Sequence, residues 1–253
     1  GCDASILLKG NNTERDDPAN ESLGGFDVID AAKRTLEIIC PGIVSCADIV
    51  ALAGRDAVSA TGGPSVRIPT GRRDGRRSSM SKVRDNIVDT SFDIPEMAKI
   101  FSSKGLSLDD IVTLSGAHTI GLAHCSAFSD RFEEDSRGKL RLSDSGMDAE
   151  YADELIKVCP ADANSSTTVK NDGQTPFSFD NQYYRNLLAR KGLFHSDSAL
   201  VEEGRTRKQV EDYASDEEKF FADWAASFLK LTSIQVKVGE EGEVRRDCSA
   251  NAS

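Results

Sequence analysis

Residues 109–125 read DDIVTLSGAHTIGLAHC, and the fold is decided in this stretch. Ser107-Leu108-Asp109-Asp110 opens it with a capping-box pattern, in which a hydroxyl and a carboxylate three residues on satisfy each other's backbone N–H groups. The apolar run that follows predicts a helix reaching His118. Ser115, Gly116 and Ala117 stand just before that histidine, and such small residues leave room for a flat group to approach the helix. In apolar surroundings a lone histidine is more often structural than a ligand, so the stretch by itself marks His118 only as a candidate. His124 lies too far along to share a helical face with His118. His195, near Asp197, reads as a surface histidine in a turn. These three are all the histidines of the chain.

Outward from this centre, helical periodicity dominates. Phe26, Ile29, Ala32, Leu36 and Ile39 trace one apolar face, ended by Pro41. Cys46 to Val58 repeats the pattern, and Ile94 to Phe101 forms a third helix closed by Gly105. Asp180 to Lys191 is a further helical stretch, and a last helix carries Phe220, Phe221, Trp224, Phe228 and Leu231. Strand signals are confined to Ser65–Pro69 and Ile234–Val238. Thr61–Ser81, rich in Gly, Pro and Arg, reads as an irregular connection, and Ala161–Thr175 as a long polar loop. The expectation is one mostly α-helical domain over residues 1–253 with very little β structure.

Charge and cysteine usage narrow the function. A net charge of -11 disfavours binding to a phosphate backbone, so no nucleic-acid partner is expected despite the local cluster Arg72, Arg73, Arg76 and Arg77. No apolar run approaches the roughly eighteen residues a membrane helix needs. Six cysteines (Cys2, Cys40, Cys46, Cys125, Cys159 and Cys248) lack CxxC spacing and fit disulfides better than a zinc site. Sequons begin at Asn11, Asn20, Asn164 and Asn251, which together with the cysteines points to secretion. Hydrolase and nucleotide-binding readings fail for want of G-x-S-x-G, P-loop or G-x-G-x-x-G patterns. Two oxygen-rich clusters, Asp3 with Ser5 and Asp172 with Thr175 and Asp180, have the chemistry of calcium ligands but by themselves read more readily as solvated polar loops.

Six strings in order change this balance: GCDASILL (1–8), SCADIVALAGRDAV (45–58), GGPSVRIPTGRRDG (62–75), LSGAHTIGLAHC (114–125), FDNQYYRNLL (179–188) and KGLFHSDSAL (191–200). Together they resemble the class III, secretory plant peroxidases over nearly the whole chain. The resemblance implies a helical fold with haem b between a distal and a proximal part. It makes His118 the axial ligand of the haem iron and Asp197 the carboxylate behind it. It implies two calcium ions. The proximal one falls on Thr119, Asp172, Thr175, Ser178 and Asp180; the distal one falls on Gly1, Asp3 and Ser5, with further ligands upstream.

It also implies disulfides Cys46–Cys248 and Cys125–Cys159, with Cys2 and Cys40 pairing to cysteines before residue 1. The family's distal Arg and His would lie in that upstream segment, so the chain as given is expected to be an N-terminally truncated and inactive form. The activity implied is oxidation of phenolic donors by hydrogen peroxide in one-electron steps, by a monomer outside the cell, in the wall, or in the vacuole. The rival expectation is a secreted glycoprotein that uses the scaffold without turnover. Two positions depart from the family pattern: Val88, where a channel proline is usual, and Asn171, where an apolar residue is usual.

Overall fold

A computed structural model describes residues 2–143 and 145–251, and these fall into two compact units. The first is built from both ends of the chain, residues 2–60, 65–87 and 228–251; the second comprises Thr61–Pro64 and Val88–Ser227. As expected from the periodicity, the structure is mostly helical.

In the end-built unit, α1 (Phe26–Ile39) packs on α2 (Cys46–Ala60). Phe26, Ile29, Ala32 and Leu36 close over Cys46, Ala47 and Ile49, as their spacing requires. Ile39 does not join them: it is the last residue of α1 and is 73% exposed. Lys33 is buried in the same helix, where its ammonium donates to Glu37 Oε1 at 2.5 Å and to the Val44 carbonyl at 2.6 Å. The arginine cluster divides. Arg76 and Arg77 are exposed, but Arg72 is buried, paired to Asp48 at 2.9 Å and donating to the Thr232 carbonyl at 3.0 and 2.8 Å. Asp74 accepts from the backbone N–H of Ala47 at 2.8 Å and of Arg245 at 2.9 Å, with the Arg245 guanidinium 3.7 Å away. The disulfide Cys46–Cys248 joins the two ends, and Cys2 and Cys40 are free thiols.

The middle unit holds α3 (Ile94–Ser103), α4 (Leu108–Ser115), α5 (Ala149–Val158), α6 (Gln182–Leu188), α7 (His195–Ala199) and α8 (Gly204–Ser215); α9 (Glu217–Leu231) begins in it. Four strands of three residues form two antiparallel pairs among the described residues. β1 (Leu122–His124) pairs with β4 (Thr168–Lys170), and β2 (Phe132–Glu134) with β3 (Leu140–Leu142). The disulfide Cys125–Cys159 sits beside the first pair, in a core of Phe128, Met147, Leu155, Leu193 and Phe194.

Neither expected strand forms. Ser65–Pro69 joins no ladder, and Gln235 adopts φ 46°, which breaks any strand across Ile234–Val238. The loop expected over Ala161–Thr175 instead contains β4. Among the described residues, no helix is long and apolar enough to cross a membrane.

Candidate active site: an imidazole held by a buried carboxylate

Capping of α4 follows the sequence. Ser107 Oγ accepts from the Asp110 N–H at 3.1 Å, and Asp110 Oδ2 accepts from the Ser107 N–H at 2.8 Å. At its other end the helix tightens into a 3₁₀ turn, Gly116–Thr119, which carries His118. Gly116 is required here because a Cβ at that position would collide with the Tyr184 hydroxyl and the Phe220 ring. The hydroxyl occupying that space donates to the carbonyls of Val112 and Thr113 at 2.9 and 3.2 Å. These belong to the last turn of α4, where backbone acceptors run short of partners within the helix. Gly116 therefore makes room for a tyrosine of α6.

His118 Nδ1 lies 2.9 Å from Asp197 Oδ1. That same oxygen accepts from the Tyr183 hydroxyl at 2.7 Å, while Asp197 Oδ2 accepts from the Phe194 N–H at 3.0 Å. Asp197 is 2% exposed, whereas the His118 side chain is 38% exposed. The imidazole stands edge-on to Phe194 and Tyr183, with ring centroids 5.1 and 5.9 Å away. Arg131, fully buried, fixes the segment behind Asp197 by donating to the Leu193 carbonyl at 3.2 Å and to Ser198 Oγ at 3.0 Å.

Burial would push the His118 pKa down, but the charge and hydrogen bond of Asp197 outweigh it and the pKa is raised. Burial likewise opposes ionisation of Asp197, yet the His118 charge and the bonds from His118, Phe194 and Tyr183 hold its pKa below the usual carboxylate value. Burial, then the Asp197 charge, pushes the Tyr183 phenol well above its ordinary pKa. With Nδ1–H committed to a carboxylate, Nε2 is the nitrogen left with a lone pair for a metal, and the carboxylate makes that lone pair more electron-donating.

Next to His118, Thr119 is fully buried and its hydroxyl donates to Asp180 Oδ1 at 3.1 Å. Asp172, 1% exposed, accepts from the Gln174 N–H at 2.7 Å and from the Thr175 hydroxyl at 3.1 Å, both neutral donors. The Ser178 N–H donates to the Thr175 carbonyl at 3.0 Å. A buried carboxylate held by neutral groups suits a hard cation that takes oxygen ligands. In the end-built unit, the Ser5 N–H donates to Asp3 Oδ1 at 3.2 Å, and Lys237 pairs with Asp3 Oδ2 at 3.1 Å. Both residues line a cavity of about 810 Å³ with Glu14, Arg76 and Lys82. Gly1 lies outside the described residues. Asn171 spans Gly121 and Ile120, its N–H and Nδ2 donating to their carbonyls at 3.1 and 3.2 Å.

The other histidines stand apart: His124 bonds the Ser165 carbonyl at 2.9 Å, and His195 opens α7. Tyr183, Phe194 and Arg131 were not among the candidates. Their only sequence signal is that Tyr183 and Phe194 lie in the same strings as Asp180 and Asp197.

Comparison with known proteins identifies the family. The family model described as Peroxidase matches residues 1–216. Peroxidase 46 of Arabidopsis thaliana is 58% identical over 99% of the chain and 77% of its own length. Peroxidase 18 of the same plant is 59% identical over 99% of the chain and 76% of its length, and Peroxidase 55 is 44% identical over 99% and 76%. On this match, and with an imidazole–carboxylate pair at its centre, the chain belongs to the peroxidase family.

Proposed function

We propose that this peroxidase holds haem b with His118 Nε2 as the axial ligand of iron and acts on phenolic donors with hydrogen peroxide. The observation that carries the reading is the partly exposed imidazole whose Nδ1 is bound by a 2%-exposed carboxylate. When bound, haem supplies the two-electron reduction of peroxide and recovers the electrons from donors one at a time. The protein's part is electronic and positional. Asp197 enriches the ligand, Tyr183 and the Phe194 N–H fix the carboxylate, and Arg131 fixes the turn that presents it.

Thr119, Asp172, Thr175, Ser178 and Asp180 are proposed to hold one calcium ion, tying the His118 turn to the loop before α6. Asp3 and Ser5, with Gly1 and upstream residues, are proposed to hold a second. A His that moves protons on peroxide and an Arg that stabilises the developing negative charge are proposed to lie upstream of Gly1. Secretion is proposed from the two disulfides and the exposed sequon residues Asn11 and Asn164.

The test is haem titration followed by peroxide-dependent phenol oxidation. The 253-residue chain is expected to bind haem, His118→Ala to bind it at least about 100-fold more weakly, and the chain with its upstream segment to turn over about 100-fold faster or more than the chain without it. Equal haem affinity in His118→Ala, or no phenol oxidation by the longer protein, rejects the reading.

A further inference from the structure

Three buried tyrosines lead away from Asp197. Ring centroids are 5.1 Å apart from Tyr183 to Tyr184 and 5.1 Å from Tyr184 to Tyr213, and none of the three is more than 4% exposed. Their hydroxyls have different partners. Tyr183 donates to the carboxylate of Asp197, Tyr184 to backbone carbonyls, and Tyr213 to Asp223 Oδ2 at 2.9 Å. Gln209 Nε2 and Thr113 Oγ1 also lie 2.8 Å from the Tyr213 hydroxyl, so burial alone does not require a carboxylate there. Asp223 is 42% exposed and pairs with Lys219 at 2.6 Å.

A phenol gives up an electron readily only when its proton has an acceptor. A carboxylate can take that proton; a backbone carbonyl cannot, so Tyr184 serves as a bridge and not a resting place. Asp197 already receives three hydrogen bonds and holds the ligand imidazole, so accepting a further proton would undo its role. Asp223 is paired with Lys219 but holds no ligand imidazole, and at 42% exposure it faces water. Charge transfer weakens exponentially with distance, and short ring-to-ring steps are what let it proceed through a protein.

We propose that Tyr213 is a second oxidation site, where an oxidising equivalent produced by peroxide reduction at the His118 end comes to rest and is quenched by electron donors that meet the surface beside the partly exposed Asp223. The proposal rests on the haem reading above. One electron leaves Tyr213 inward through Tyr184 and Tyr183, and the phenolic proton moves to Asp223, leaving a neutral phenoxyl radical. A donor phenol outside then supplies one electron, the proton returns from Asp223, and the donor's own proton passes to water as its radical forms.

The experiment is to add peroxide to the haem-loaded full-length protein, freeze-quench for electron paramagnetic resonance, and map nitroso spin-trap adducts by peptide mass. The expected result is a tyrosyl signal and an adduct on Tyr213. The adduct should be absent in Tyr213→Phe and severalfold weaker in Asp223→Asn, while the optical reaction with peroxide persists in both. An optical reaction without an adduct at Tyr213, or an adduct yield unchanged in Asp223→Asn, overturns this proposal alone. No optical reaction with peroxide in the parent protein overturns the haem reading and this site with it.

Discussion

Each unit of the molecule buries carboxylates almost completely, and Asp74 and Asp197, one from each, differ in the company they keep. Asp74, in the end-built unit, is met by two backbone N–H groups and the Arg245 guanidinium. Asp197, in the middle unit, is met by one backbone N–H, a phenol and an imidazole. An arginine is charged at every pH a protein meets, so the surroundings of Asp74 have one state. The phenol and imidazole beside Asp197 can each exchange a proton, and the imidazole can also donate to a metal. The same burial of charge therefore serves as a fastening in one unit and as an adjustable setting in the other.

Removing each carboxylate should break this comparison if it is wrong. Asp74→Ala strands a buried guanidinium and is expected to lower stability by about 3–5 kcal/mol. Asp197→Asn keeps hydrogen-bonding capacity beside a partly exposed imidazole and is expected to cost about 1 kcal/mol. Denaturation midpoints of the haem-free chain measure both, and equal losses would mean that Asp197 is a fastening too.

An effect smaller than that of Asp74→Ala sharpens the account of how His118 is placed. In Gly116→Ala the added methyl meets the Tyr184 hydroxyl and the Phe220 ring, and overpacking of this kind costs about 1–3 kcal/mol. The same denaturation experiment reads it, and a neutral result would show that Tyr184 moves aside freely.

The smallest predicted effect is in pH. Asp197 has a folded pKa below its ordinary 3.8, so its contribution is present above that value and fades as pH falls through the lower folded one. His118 has a folded pKa above its ordinary 6.5, so its contribution is full below 6.5 and fades as pH rises through the higher folded value. The stability difference between the haem-free chain and its Asp197→Asn variant is expected to be largest between these two ordinary values. A difference that is flat from pH 3 to pH 9 would remove the ion pair from the account.

The helices were legible in the sequence where apolar residues recur with helical spacing, as in α1, α2 and α4. The three-residue strands were not, because so short a run carries no period, and β4 lies within a polar stretch. Lys33 and Arg72 look like surface cations in the sequence, and only the tertiary structure supplies the carbonyls and carboxylates that let them be buried. At the site, His118 and Asp197 were found through resemblance to a family. Nothing local relates two residues 79 positions apart. Tyr183 was missed because a tyrosine inside a helical apolar pattern reads as core, and its hydroxyl's partner lies on another element.

The disulfide between Cys46 and Cys248 has a consequence for how the protein comes into being. A ribosome releases the chain from its N-terminal end, so Cys46 and Asp74 emerge well before Arg245 and Cys248. At ordinary elongation rates, synthesis of the intervening residues takes on the order of ten seconds. Throughout that interval the first unit lacks its closing segment, while the residues that place His118 against Asp197 are all delivered before it arrives. The part that sets His118 against Asp197 can assemble on the nascent chain, and the part that joins Cys46 to Cys248 must wait for Cys248 to be made.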